Sequence, residues 1–286
     1  MPRDREVDPS LNRRRLRIAL RKARENSMQS QGQAAHALDW SLSKIMRIEQ
    51  GTVSLSVTDL RALLQQYEVS DATLSAELEE AARGSKGASW WAQYNDVIGP
   101  QFSQYLGYES AAASFRTYNP IIVPGLLQTD EYAMALLAPR VNEQKARRIV
   151  DLRTARQDRA LEGAEPPYTF FVVDEAALHR QVGGPRVQRA QLQHLVSLAD
   201  RPKVSLQVLP FTAGAHYSTL SSFILLGFLD DEDLLYLEAQ GNQSIRDDHE
   251  LIVRHQECFE SLREIAYGGD KAIDLINEIR DGIDSS

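Results

Sequence analysis

Residues 31–51 read QGQAAHALDWSLSKIMRIEQG, and the spacing of apolar side chains in this stretch decides the architecture of the N-terminal part of the chain. From 31 to 38, Ala34, Ala35 and Leu38 recur at spacings of one, three and four, which puts small and apolar side chains on one helical face. Small side chains let a second helix come close. After Asp39 and Trp40, Ser41 carries the hydroxyl of an N-cap, although Lys44 stands where a capping box has Glu or Gln. From 42 to 50, Ile45 and Ile48 face one way and Ser43, Lys44, Met46, Arg47 and Gln50 face elsewhere, with Gly51 placed to close the helix. Two short helices joined by a tight turn follow. A second helix with a thin apolar seam and an outer face of Ser, Lys and Arg suits the major groove of DNA, while an ordinary helical hairpin has the same periodicity.

The stretch resembles the helix-turn-helix of the Cro/cI-type (XRE) repressor family. In that family a Gln near the start of one helix and an Ala in its middle precede Ser-x-x-x-Ile-x-x-Ile-Glu-x-Gly. Those positions are held here by Gln31, Ala35, Ser41, Ile45, Ile48, Glu49 and Gly51. The resemblance covers about residues 13–70 and departs from the family at Met28, where a turn Gly is usual, and at Gln29, where Leu or Met is usual. It implies that Ser41, Leu42, Ser43, Lys44, Met46 and Arg47 lie on or beside the groove-facing side of a recognition helix. Gln31 would then sit beside a phosphate, with Gln33 near it. Before this pair, residues 11–26 (LNRRRLRIALRKAREN) place Leu16, Ala19, Leu20 and Ala23 on one helical face. Arg13, Arg14, Arg15, Arg17, Arg21, Lys22 and Arg24 surround it. These bases, Arg13 and Arg17 among them, are either phosphate contacts or a solvated basic face; phosphate contacts would supply affinity without sequence preference.

Charge divides the 286-residue chain. Its net charge is −8, yet residues 1–70 carry 12 Lys or Arg against 8 Asp or Glu, and the remainder 20 against 32. This asymmetry fits a small DNA-reading module attached to a larger acidic domain. A hydrophobic fraction of 43% and a charged fraction of 25% are those of a soluble globular chain long enough for two domains. No apolar run nears the roughly eighteen residues of a membrane span, and the first residues, MPRDREVDPS, lack the apolar core of a signal peptide. No membrane partner and a cytoplasmic location are therefore expected. The one cysteine, Cys258, excludes an internal disulfide.

Residues 1–10 read as loosely held. Helices are expected at 57–67 and 71–83, completing an all-α bundle over 11–83, with a Gly-Ser-Lys-Gly linker at 84–87. Residues 88–286 then form a larger α+β or α/β domain. Within it the pattern predicts helices at 90–105, 130–137, 141–161, 175–181, 187–199, 247–266 and 271–279, the last capped by Asp270. Five or so strands lie near 112–123, 168–173, 204–209, 222–228 and 234–238, the last two a hairpin with an acidic tip that includes Asp230 and Asp231. Trp90, Trp91 and Tyr94 make an aromatic cluster that either packs a core or lines a ligand or partner site. Arg147, Arg148, Arg153, Arg156 and Arg159 on one long helix make either an anion site or, interleaved with Glu143, Asp151 and Asp158, a self-paired surface.

Catalytic patterns are weak. Glu175 and His179 share a helical face without the two-histidine zinc signature, and ion pairing is the ordinary use of such a pair. His249, His255 and Cys258 are spaced six and three apart, which separates the histidines. The nucleophile elbow G-x-S-x-G is missing around Ser218, and Gly183 and Gly184 are too few for a phosphate loop. No enzyme activity, metal or cofactor is expected.

From Trp90 onward the order of elements resembles the C-terminal domain of a group of actinomycete helix-turn-helix regulators, the WhiJ-like group among them. The residues that carry it are Trp90, PIIVPGLLQTDEYA at 120–133, DEAALHRQVGG at 174–184, VLPF at 208–211 with Gly214, Ala215 and His216, and Tyr236, Leu237 and Glu238. The resemblance implies a transcription factor; the chain is accordingly expected to bind a double-stranded DNA operator, with residues 88–286 supporting a homodimer. Its C-terminal domain would bind a ligand or a small acidic protein partner. An antitoxin-like protein that uses DNA binding mainly for autoregulation is the alternative.

Overall fold

A computed structural model describes residues 9–49, 53–87, 89–216, 221–229, 232–239 and 242–283. The expected helix closure at Gln50 and Gly51, the Ser218 position, the hairpin tip at Asp230 and Asp231, and residues 1–8 of the loosely held start lie outside the described residues. Two compact units form, Met1–Ala92 with Leu106–Ala111, and Gln93–Tyr105 with Ala112–Ser286.

The first unit contains α1 (Pro9–Asn26), α2 (Gln31–Ala37), α3 (Leu42–Glu49), α4 (Val57–Gln66) and α5 (Ala72–Gly84). Pro9 and Ser10, expected to be loose, open α1; proline at the first helical position gives up only an N–H that has no intrahelical partner. The core joins Leu16 and Leu20 of α1, Ala34 and Ala35 of α2, and Ile45 and Ile48 of α3 to Leu60, Leu63 and Leu64 of α4. The two alanines leave room for α3 beside α2. Of the four residues expected as a linker, Gly84 is the last residue of α5, and Ser85 caps that helix, buried, its hydroxyl donating to the Ala82 carbonyl at 2.8 Å.

Three helix ends in this unit share one geometry. Met28, Asp39 and Glu68 have φ of +55°, +53° and +57°. In each case the next N–H reaches five residues back, as Gln29 N to Arg24 O (3.2 Å), Trp40 N to Ala35 O (2.9 Å) and Val69 N to Leu64 O (2.9 Å). These are Schellman caps with a side chain where glycine is usual. Met28 is 90% exposed, so nothing packs against it to offset the left-handed backbone. Met28→Gly should therefore raise the stability of this unit by about 0.5–1 kcal/mol, net of the added freedom of the unfolded chain, in urea denaturation. A loss of stability would mean that Met28 packs in a way its exposure does not show. The polar Gln29 that follows is satisfied: its Nε2 donates to the Gln66 carbonyl and its Oε1 accepts from the Gln66 amide, both at 3.0 Å.

The helix expected over 90–105 is instead a 3-10 turn at Trp90–Tyr94 and a separate α6 at Pro100–Ala111. Pro100 has no N–H to continue a helix and starts a new one.

The second unit is α+β. After β1 (Ser114–Asn119) come a 3-10 turn at Gly125–Leu127, α7 (Asp130–Leu137), α8 (Glu143–Leu161), β2 (Tyr168–Asp174), α9 (Glu175–His179), α10 (Pro185–Ala199) and β3 (Val204–Leu209). Then follow β4 (Phe223–Gly227), β5 (Leu234–Ala239), β6 (Asn242–Arg246), α11 (His249–Ile265), β7 (Tyr267–Gly268) and α12 (Asp270–Asp281). The described strands form one sheet in the order β6-β5-β4-β1-β2-β3-β7. β1, β2 and β3 are parallel, joined by helical crossovers, and antiparallel strands extend the sheet on both sides. β6 and β7 are additions to the expected strands: NQSIR has no apolar alternation, and β7 has only two residues. The expected hairpin is present as β4 and β5. At α12, Gly269 with φ +55° occupies the cap and Asp270 is the first helical residue.

Tyr118, Val172, Phe223, Leu225 and Leu235 form one core with Ile252, Phe259 and Leu262 of α11. On β3, α10 and α12 pack together, while α8 lies along the 3-10 turn and α7.

Candidate nucleic-acid interface

α3 has two contrasting faces. Ile45, Ile48 and Glu49 are buried, at 1%, 6% and 2% exposure, whereas Leu42, Ser43, Met46 and Arg47 are exposed. Residues 42, 43, 46 and 47 lie at helical spacings of one, three and four and so share one side. Leu42 is 48% exposed and Met46 40%. Two large apolar side chains beside a serine and an arginine are the composition that meets thymine methyls, guanine and phosphate in a major groove. At the N-terminal end, Ser41 caps as expected, its hydroxyl accepting from Lys44 N at 3.2 Å.

A buried carboxylate fixes this helix. Glu49 accepts from Arg24 Nε at 2.6 Å and Arg24 Nη2 at 3.1 Å, and from Gln31 Nε2 at 2.8 Å. Arg24 also donates to the Gln29 carbonyl at 2.9 Å. One group thereby ties α1, the start of α2 and the end of α3. The hydrogen bond to Glu49 raises the Arg24 guanidinium against the opposing effect of burial. Burial first, and then Glu49, pushes Tyr67 up to about 12.

The residues singled out from the sequence take different places. Gln31 is engaged by Glu49, and Gln33 supplies the capping box of α2: its Oε1 accepts from Ser30 N at 2.8 Å while Ser30 Oγ accepts from Gln33 N at 3.2 Å. The capping box thus belongs to α2, not to α3. Lys44 reaches Asp59 at 3.1 Å and lies 3.4 Å from the centre of the Trp40 ring. Arg47 Nε donates to the Ser43 carbonyl at 3.3 Å. On α1, Arg13 donates to the Ser85 carbonyl at 3.1 Å, Arg17 is half-buried, and Arg14 is fully buried. The expectation that all the bases of α1 surround its apolar face therefore fails at Arg14 and at Arg24. Helix α1 packs on α5 as well as on α3 and α4, and so buries more of its circumference than one stripe.

Trp90 Nε1 donates to Ser110 Oγ at 2.9 Å and its ring stands edge-on to that of Trp91, which is buried. Tyr94 is buried, with the Arg148 guanidinium 5.2 Å from its ring. Glu175 and His179 pair at 3.2 Å, and the other Glu175 oxygen accepts from Phe211 N at 2.7 Å. Among the described residues no group of three or more His, Cys, Asp and Glu side chains comes together as a metal site. No described helix is long and apolar enough to cross a membrane.

Residues 102–278, more than half of the chain, match the family model described as a domain of unknown function (DUF5753). The chain belongs to the DUF5753 family. Ahead of the DUF5753 region, residues 15–78 match a helix-turn-helix domain, and this match spans α2 and α3. Neither the curated proteins nor the solved structures contain a match to the chain.

Proposed function

We propose that the chain is a sequence-specific, DNA-binding transcriptional regulator of the Cro/cI type, akin to the WhiJ-like group. Residues 11–83 read an operator, 84–87 mark the division between domains, and 88–286 bind a ligand or a small protein partner rather than catalyse a reaction. The observation that carries this reading is α3, with Leu42, Ser43, Met46 and Arg47 exposed together on one side while the opposite side is anchored through Glu49. A helix locked from behind and presenting mixed apolar and cationic side chains is built to be inserted into a groove. Lys44 and the exposed bases Arg21 and Lys22 of α1 add cationic charge to the same small unit. As a cytoplasmic homodimer, the protein would read half-sites about 34 Å apart in an approximate palindrome.

The test is binding of the full chain to its own promoter DNA and to a scrambled duplex across a salt series. A specific complex whose affinity falls with salt, with a log–log slope of roughly −0.9 per phosphate neutralised, is the expected outcome. Equal, weak binding to both duplexes would remove the regulator reading. If specific binding instead appears only with a co-purifying neighbour protein that the chain neutralises, the antitoxin-like alternative gains.

A further inference from the structure

Lys44 stands on the flank of α3. At about 3.6 residues per turn it neighbours Arg47 and Ile48, on the line where the exposed side of the helix gives way to the buried one. Phosphates rim a groove that receives the exposed side, and a lysine on that line has a stem long and flexible enough to reach them. In this protein its ammonium is engaged internally, 3.1 Å from Asp59 Oδ1 and 3.4 Å from the centre of the Trp40 ring.

Both partners are held in place. Trp40 ends the turn between α2 and α3, its N–H donating to the Ala35 carbonyl at 2.9 Å, and it packs against the helical core. Asp59 is the third residue of α4. Its backbone N–H donates to the capping Ser56 Oγ at 3.0 Å, and its carboxylate lies at the positive end of that helix. Leu60, Leu63 and Leu64 fix α4 in the same core. A turn, a recognition helix and the start of the next helix thus converge on one ammonium. The Lys44 and Asp59 side chains are 34% and 33% exposed, and an ion pair this open to water contributes little to folding. Its effect on DNA is of another kind, because Lys44 can reach a phosphate only by giving up Asp59.

We propose that Asp59 is a positioning residue that restrains Lys44 and so lowers the affinity of the helical unit for DNA phosphate on any sequence. This inference rests on the reading of α3 as the recognition helix. With Asp59 and a phosphate competing for one ammonium, Lys44 supplies only part of a phosphate contact. Base reading by the exposed side is untouched. Non-operator DNA offers phosphates without matching bases, so the restraint loosens the protein's hold on those many competing sites.

The experiment is a double-mutant cycle on the full chain, with the unsubstituted protein, Asp59→Asn, Lys44→Ala and the double variant each titrated with promoter and scrambled duplexes across a salt series, followed by fluorescence anisotropy. Asparagine keeps the size of the side chain and leaves the Ser56 cap, which uses the backbone N–H. Asp59→Asn should raise affinity about two- to fivefold on both duplexes, the range of an exposed ion pair. It should also steepen the log–log salt slope by up to about 0.9, the signature of one further phosphate. With Lys44 replaced by Ala, the same substitution should change neither quantity. A gain that persists without Lys44 would make Asp59 a direct repeller of phosphate, and a loss of affinity would make it the residue that aims Lys44 at DNA; either overturns the proposal. So does an unchanged affinity or an unchanged slope. Promoter preference separates the two readings. A preference for promoter without the Asp59→Asn gain removes the restraint alone, whereas a Lys44-dependent gain on two duplexes bound equally removes the regulator alone. No binding to either duplex removes both.

Discussion

Arg24→Met is expected to lower the stability of the helical unit by about 3 kcal/mol, toward the lower end for a broken buried ion pair because one edge of Arg24 still meets solvent. Glu49 is 2% exposed, the Arg24 side chain 13%. Without the guanidinium, the Glu49 carboxylate keeps only the Gln31 amide among its side-chain donors above, and it must stay charged in a dry site, take up a proton, or pull α3 open. The Gln29 carbonyl loses a donor as well. Urea denaturation of the full chain, followed by helical circular dichroism, reads the effect. A second variant isolates its cause: in Arg24→Met/Glu49→Met both charges are gone, and much of the stability should return, because an apolar pair in such a place is often no worse than the ion pair it replaces. If the single variant lost less than about 1 kcal/mol, Glu49 would be solvated and would not fix α3.

That ion pair also shows where sequence reasoning stops. The paired alanines and isoleucines of 31–51 are local signals, and they place α2 and α3 within a residue or so of their ends. Glu49 was visible as a motif position, and Arg24 as one base among seven on α1. Their partnership was not, since 25 residues separate them and only the packing of α1 on α3 brings them together. The helix ends were obscured for a different reason. Glycine is the usual sign of a Schellman cap, and Met28, Asp39 and Glu68 adopt the same left-handed backbone without it. Periodicity likewise carried the expected helix past Gly99 and Pro100, where the rigid ring of proline ends one element and starts the next.

In the second unit the α+β class and most elements followed from alternating strands and helical stripes. The pairing of the strands did not. It depends on the register of β2, β1, β4 and β5, which no local window contains, and a paired and a buried arginine look alike in the sequence of α8. Leaving open both an anion site and a self-paired surface on that helix was as far as spacing could go. In the structure Arg147 pairs with Glu143 on the same helix and Arg148 with Asp96.

Arg47→Ala tests the recognition face most directly, with an expected loss of about 1–3 kcal/mol in binding to promoter DNA, confined to the specific sequence. The geometry sets Arg47 apart from its neighbour. Lys44 is already compensated by Asp59 at 3.1 Å and by the Trp40 ring, so drawing it to a phosphate gives up contacts made inside the protein. Arg47 is exposed in the last turn of α3, and its Nε bond to the Ser43 carbonyl is a long 3.3 Å. Its guanidinium is the cation that the exposed side of α3 presents beside Leu42, Ser43 and Met46, and a guanidinium can give two parallel hydrogen bonds to a guanine edge. Lys44→Ala should therefore weaken binding less than Arg47→Ala, and by a similar amount on promoter and scrambled duplexes. If Arg47→Ala also weakened both duplexes equally and lowered the salt slope by about one, Arg47 would be a phosphate contact, and base reading would pass to Leu42, Ser43 and Met46. Unchanged affinity on both would take Arg47 out of the interface altogether.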